Sequence, residues 1–206
     1  MNSIDRLYAN EVGAIIVSPD GEASESLPDH PVVLAGSFNP LHDGHRKMLE
    51  VASKVTGKPA CYEISILNVD KPILPRIELE KRIPPIIADG SSLIVTGAPR
   101  FTEKSSLLPG ATFVIGFDTY IRLMDKRYYP DHEAGDHSSV ENSLDLIHEN
   151  GCKFIVAGRV DDHNQFRGLH DLEFEIPRRF QGMFTELTES QFRSDLSSTA
   201  LRDQAR

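Results

Sequence analysis

Five short runs of almost unbroken apolar, β-favouring residues recur along this chain, at Val32 to Ala35, Ile64 to Leu67, Leu93 to Thr96, Thr112 to Ile115 and Phe154 to Ala157. A strand that is apolar at every position must be covered on both faces, which is the condition of a parallel sheet with helices packed on each side. Helix-like stretches fall between these runs: Gly44 to Val55, Arg76 to Arg82 ending before Pro84 and Pro85, Phe117 to Asp125, and Ser138 to Asn150 closed by Gly151. Strand and helix in alternation build right-handed βαβ units. The expected fold class is therefore α/β, a Rossmann-like domain whose mainly parallel sheet is flanked by helices. In such folds ligands bind beyond the carboxyl ends of the strands, so the loops after Ala35, Leu67, Ile115 and Ala157 are the expected site.

The 206 residues suit one domain with an addition. Val12 to Val17 reads as a further strand, followed by a polar, turn-rich connector from Ser18 to Pro31. Residues 1–30 are therefore expected to form an N-terminal appendage or linker, and residues 31–206 the domain proper. With 22 basic and 31 acidic residues the formal net charge is −9, which lacks the basic footprint of a duplex nucleic-acid binder. No apolar run approaches the roughly 20 residues that span a bilayer, and the N-terminus lacks the pattern of a secretory signal. Two cysteines, Cys61 and Cys152, make no disulfide framework and read as buried thiols. A reducing cytoplasm is the expected compartment. Self-association is compatible with the sequence and not fixed by it.

The densest chemistry follows the first core run: Gly36-Ser37-Phe38-Asn39-Pro40-Leu41-His42-Asp43-Gly44-His45, leading into a helix. Histidines three apart at a helix start share one face. Gly44 between them leaves room for a ligand, and the free N–H groups of the first turn favour an anion. Two imidazoles aimed at one phosphorus can donate hydrogen bonds to non-bridging oxygens as charge builds there. A plain surface helix start, or half of a two-histidine metal site, is the competing reading of His-x-x-His alone, and no third metal ligand is predictable. Near the carboxyl end, Leu196-Ser197-Ser198-Thr199-Ala200-Leu201-Arg202 pairs N-cap hydroxyls with an arginine, a set that can clamp a polyphosphate. Asp161-Asp162-His163 and His170 match no metal template and read as a polar insertion.

The first segment resembles the Gly-x-Phe-Asp/Asn-Pro-x-His-x-Gly-His signature of the nucleotidylyltransferase superfamily. Leu196 to Arg202 resembles that superfamily's second element, Ile-Ser-Ser-Thr-x-Ile/Leu-Arg. Gly116-Phe117-Asp118 and Phe154 to Arg159 are similar to segments of the nicotinamide or nicotinate mononucleotide adenylyltransferases. The resemblance spans Val32 to Arg202. It implies transfer of AMP from ATP to a phosphate-bearing small-molecule acceptor, nicotinamide mononucleotide, giving NAD and pyrophosphate, with Mg²⁺ carried by the triphosphate. His42, His45 and Arg202 would be catalytic. Gly36, Ser37, Phe38, Gly44, Gly116, Asp118, Arg159, Ser198 and Thr199 would bind the nucleotide, and Lys71 with Arg76 the acceptor's phosphate. Asn39 stands where an aspartate is common in the family. The chain has no tryptophan, so the stacker of the pyridine ring would be Tyr128 or Tyr129. Within the same fold, a pantetheine-phosphate adenylyltransferase or a CTP-dependent cytidylyltransferase is the alternative. Outside enzymology, it is a nucleotide-binding sensor.

Overall fold

A computed structural model describes residues 2–69, 72–125, 127, 138–161, 163–172 and 176–193. The chain runs α1 (Ser3–Tyr8), β1 (Ala14–Val17), β2 (Ala23–Ser24), β3 (Val32–Ala35), α2 (Asp43–Thr56), β4 (Ala60–Ser65), α3 (Arg76–Ile87) and β5 (Leu93–Thr96). It continues through α4 (Phe101–Leu107), β6 (Thr112–Gly116), α5 (Phe117–Met124), α6 (Ser138–Glu149), β7 (Lys153–Ala157), the small hairpin β8 (Arg159–Val160) and β9 (Phe166–Arg167), and β10 (Phe184–Leu187). Eight strands form one sheet in the order β10-β7-β6-β3-β4-β5-β1-β2. The six from β10 to β5 are mutually parallel, as the alternation of runs and helices requires.

Side chains alternate faces along each parallel strand, and the core divides accordingly. Val32, Leu34, Tyr62, Ile64, Leu93, Val95 and Val114 join Leu7, Leu49, Leu79 and Ile86 of α1, α2 and α3 in one apolar layer. Val33, Cys61, Ile94, Phe113, Ile115, Phe154 and Val156 join Tyr120 and Leu123 of α5 and Leu144 and Ile147 of α6 in the other. Continuous apolar runs are the sequence image of this double coverage. The opening residues extend the sheet: β1 pairs antiparallel with β5, β2 with β1, and Ile15 and Val17 are buried.

Three elements differ from the sequence expectation. The helix expected to stop at Arg82 continues through Pro84 and Pro85 to Ile87, and the Ala88 N–H closes its last turn on the Pro84 carbonyl at 3.0 Å. Each proline removes an intrahelical hydrogen bond. Leu79 and Ile86, both completely buried, hold the helix on the sheet nevertheless. The strand expected at Ile64 to Leu67 is centred earlier, at Ala60–Ser65, and contains Glu63. The helix α4 was not expected at all, because the residues it buries are Lys104 and Ser105 rather than an apolar stripe.

Those last two differences have one cause. The Lys104 ammonium pairs with Glu63 Oε1, which also accepts from Thr96 Oγ1 at 2.6 Å, and all three residues are buried. The polar face of α4 thus docks on a charged strand residue, and neither half looks buried when read alone. Removing one partner leaves an uncompensated buried charge, at a cost of about 3–5 kcal/mol. Lys104→Met should lower stability by about that amount in urea denaturation, and Glu63→Leu combined with Lys104→Met should recover much of it. A double variant as unstable as the sum of the single ones would show that the pair is not what joins α4 to the sheet.

Candidate active site at the switch point of the sheet

The order β6-β3-β4-β5 reverses direction between β3 and β6, so the loops leaving these two neighbours diverge and open a crevice. The histidine segment leaves β3 there, and Gly116 with Asp118 leaves β6. Gly36 donates its N–H to the Glu63 carbonyl at 3.0 Å, carrying the ladder one residue beyond β3. A Cβ on Gly36 would stand 2.8 Å from the Phe38 ring. Glycine is therefore what lets that ring fold back over the strand end. Phe38 itself has φ of +46°, a conformation costing an aromatic residue about 1–3 kcal/mol. Edge contacts to Tyr62 and His45, each with centroids 4.9 Å apart, hold it in place.

His42 is the N-cap of α2 and His45 stands at its third position. The His42 backbone N–H donates to His45 Nδ1 at 3.3 Å, and the two rings stack with centroids 3.6 Å apart and planes 23° from parallel. With Nδ1 accepting, the neutral ring carries its proton on Nε2. Burial above all, then the neighbouring His42 and Arg46 charges, pushes His45 down from 6.5 to about 3. His42 is lowered as well, chiefly by burial. At neutral pH the pair is thus two uncharged donors at the amino end of a 14-residue helix, an arrangement that binds anions without bringing positive side-chain charge. Gly44 between them is buried.

On the β6 side, a Cβ on Gly116 would meet nothing within 4 Å, so the fold's own packing does not demand glycine there and space lies open beside the turn. Asp118 and Arg159 come together from the ends of β6 and β7, with two hydrogen bonds of 2.7 and 2.9 Å from Arg159 Nη1 to the Asp118 carboxylate. A Cβ on Gly158 would fall 2.2 Å from the Phe166 ring, so this glycine is needed for the β8–β9 hairpin to close beside Arg159. Arg76 is ion-paired with Asp5 and with Glu80, the latter at 2.7 Å, and ties α1 to α3. Lys71, Ser198, Thr199 and Arg202, with Tyr128 and Tyr129, lie outside the described residues.

The structure adds residues that the sequence did not single out. Arg82 of α3 reaches the turn, donating from Nη1 to the Ser37 carbonyl at 3.0 Å. A cleft of about 700 Å³, open mouth included, lies between Asn68 and Val69 after β4, Pro99 to Thr102 around the start of α4, Thr119, Arg122 and Leu123 of α5, and Ile147 of α6. Apolar side chains line most of it, and Arg100 and Arg122 stand among them. Four buried side-chain polar atoms have no hydrogen-bond partner among the described residues: His42 Nδ1, Glu63 Oε2, Arg82 Nε and Arg100 Nε. His42 follows β3, Arg82 reaches the turn after it and Arg100 follows β5, whereas Glu63 lies inside β4 in its buried pair with Lys104. Nothing in the sequence pattern distinguishes Arg82 or Arg100 from other surface arginines, since only the turn and the cleft give them their position.

Residues 33–204 match the model of the family described as cytidylyltransferase-like. The chain belongs to that family, within the nucleotidylyltransferase superfamily. It is also similar, at 30% identity over 116 residues, to a Schizosaccharomyces pombe protein named "Putative nicotinamide mononucleotide adenylyltransferase". That match takes in 50% of this chain and 46% of the yeast protein, so the chain spans about half the length of this relative. Among the described residues no helix is long and apolar enough to cross a membrane.

The fold keeps His45 neutral, whereas the unfolded chain takes up a proton near pH 6.5, so the unfolded state binds more protons between pH 6.5 and about 3. The contribution of His45 to stability is fully present above pH 6.5 and declines as pH falls through that window. His45→Gln has no such proton to take up. Denaturation midpoints of the wild type should therefore fall relative to those of His45→Gln as pH drops from 7 to 4. Parallel curves would show that the folded His45 titrates near its ordinary value.

Proposed function

We propose that this chain is an adenylyltransferase that joins AMP from ATP to the phosphate of nicotinamide mononucleotide, forming NAD and releasing pyrophosphate. The observation that carries the reading is the stacked, uncharged His42–His45 pair at the start of α2, on the loop that leaves β3 beside β6. The similarity to the yeast protein supports the choice of acceptor. The cleft lined by Arg100 and Arg122 supports it through its mixture of apolar surface and positive charge.

The acceptor phosphate is already anionic, so one of its oxygens attacks the α-phosphorus of ATP without a general base. The bond to the pyrophosphate oxygen breaks and its electron pair leaves with pyrophosphate. Charge shifts onto the leaving group and the non-bridging oxygens, where Nε2–H of His45 and the first-turn N–H groups of α2 donate. Mg²⁺ enters as part of the triphosphate complex and neutralises its charge. Among the described residues no three His, Cys, Asp or Glu side chains converge into a cage for it, and a nucleotide-borne metal needs none. Gly116 lets the nucleotide approach the strand end, while Gly36 makes room for the Phe38 ring beside it. Asp118 and Arg159 contact its ribose or base, exchanging part of their mutual hydrogen bonding for the ligand. Ser198, Thr199 and Arg202 clamp the departing pyrophosphate, and Lys71 steadies the acceptor's phosphate.

The test is a matrix of ATP and CTP against nicotinamide mononucleotide, nicotinate mononucleotide and phosphopantetheine, read as pyrophosphate and dinucleotide. The expected result is NAD formed from nicotinamide mononucleotide with ATP preferred over CTP. Pyrophosphate only with CTP, or only with phosphopantetheine, would replace the acceptor assignment within the same family. Tight ATP binding with no release under any pairing would make the chain a nucleotide sensor. His45→Ala should lower turnover by about 10²–10³, the consequence of deleting a transition-state donor, with little change in ATP affinity. Arg202→Lys should weaken ATP and pyrophosphate more than the acceptor, because lysine keeps the charge and loses the planar fork.

A further inference from the structure

The histidine turn supplies hydrogen-bond donors but no charge, since burial keeps His45 neutral and lowers His42 as well. A site for phosphates needs cations as well, and of Lys71, Arg76 and Arg202, which the sequence points to, only Arg76 lies among the described residues. In the folded chain Arg76 is already engaged by two carboxylates, Asp5 and Glu80. Arg82, on the same helix, is placed differently. Its Nη1 donates to the Ser37 carbonyl at 3.0 Å, which fixes the guanidinium against the turn between β3 and α2. Its Nε is buried and has no hydrogen-bond partner among the described residues.

No carboxylate among the described residues lies within ion-pair distance of Arg82, whereas Arg46, Arg76, Arg100 and Arg159 each have one. Burial lowers the pKa of Arg82, while carboxylate partners raise those of Arg46 and Arg76. A partly desolvated charge whose nearby carboxylate, Glu78, is already paired with Lys81 opposes folding. An anion seated beside the turn would remove that cost and meet a fork that the Ser37 carbonyl has already oriented. One bond to Ser37 leaves further N–H donors of the guanidinium for a ligand.

We propose that Arg82 is a phosphate-binding residue of this site, holding non-bridging oxygens of either the acceptor's phosphate or the nucleotide's polyphosphate beside the Gly36–Phe38 turn. The proposal deepens the nucleotidyl-transfer reading and rests on it for the identity of the ligands. Arginine is suited to the role because its planar fork matches phosphate oxygens, and the electrostatic part of the interaction survives in lysine.

Calorimetric titration of wild type, Arg82→Met and Arg82→Lys with pyrophosphate, ATP and nicotinamide mononucleotide tests it, beside thermal unfolding of each protein. Arg82→Met should weaken at least one ligand by about tenfold or more, and Arg82→Lys should restore part of that loss. Loss confined to nicotinamide mononucleotide assigns the acceptor's phosphate, and loss of ATP and pyrophosphate assigns the nucleotide's. Affinities of Arg82→Met within twofold of wild type for all three ligands would overturn the proposal. So would an equal loss of all three, with a lowered unfolding temperature, that lysine does not restore, since that is the behaviour of a residue that merely braces the turn. Wild-type protein that binds none of the three overturns it too. If the wild type binds these ligands but releases no pyrophosphate under any pairing, the transfer reading falls while the titrations still decide the role of Arg82.

Discussion

The packing of His45 against Phe38 on one side and His42 on the other is the contact on which the rest of the site depends. Phe38 reaches that position only because Gly36 has no side chain and because its own backbone is held in the left-handed region. The Phe38 edge and the His42 ring bury His45, and the backbone N–H of His42 takes its Nδ1. Desolvation then removes the charge, and the hydrogen bond decides which nitrogen keeps the proton. Each step prepares the next: a strand end without a side chain, a ring folded over it, a neutral imidazole with a defined donor. Two protonated imidazoles at this separation would repel each other, so the stack itself favours uncharged donors.

The sheet carries this local geometry into register with the rest of the site. Glu63 joins the two sides: its carbonyl receives the Gly36 N–H at the start of the histidine turn, and its carboxylate receives Lys104 of α4. The residues just before and within the first turn of α4, Arg100 to Thr102, line the cleft. A single strand residue therefore relates the amino end of α2 to the wall of the cleft. The reversal of strand order between β3 and β6 supplies the space between them, and Gly116 leaves it open.

Much of this was legible in the sequence because it is periodic. The strands Val32 to Ala35 and Leu93 to Thr96 have in the structure the bounds their apolar runs predict, since Val32, Val33, Leu34, Leu93, Ile94 and Val95 each lie in one apolar layer or the other. The histidine segment was legible because glycine, proline and two histidines in that spacing leave few other uses. What was hidden involves burial of polar groups or long-range pairing. The helix α4 escaped because it buries Lys104 and Ser105, and the bounds of β4 shifted because Glu63 reads as a surface residue until Lys104 is beside it. The helix α3 outlasts its two prolines because Ile86 is buried beyond them. Arg76 and Arg82 are indistinguishable as letters. Only the position of Asp5 on α1 and of the Ser37 carbonyl separates an arginine that braces two helices from one that stands at the turn between β3 and α2.

The central claim is that the histidine pair works as uncharged hydrogen-bond donors, and nitrogen-detected NMR of imidazole-labelled protein addresses it directly. The account predicts that His45 is a single tautomer with its proton on Nε2, that it shows no titration between pH 8 and 5, and that its Nε2 resonance shifts when ATP is added. A His45 that titrates near pH 6.5, carries its proton on Nδ1, or ignores saturating ATP would contradict it.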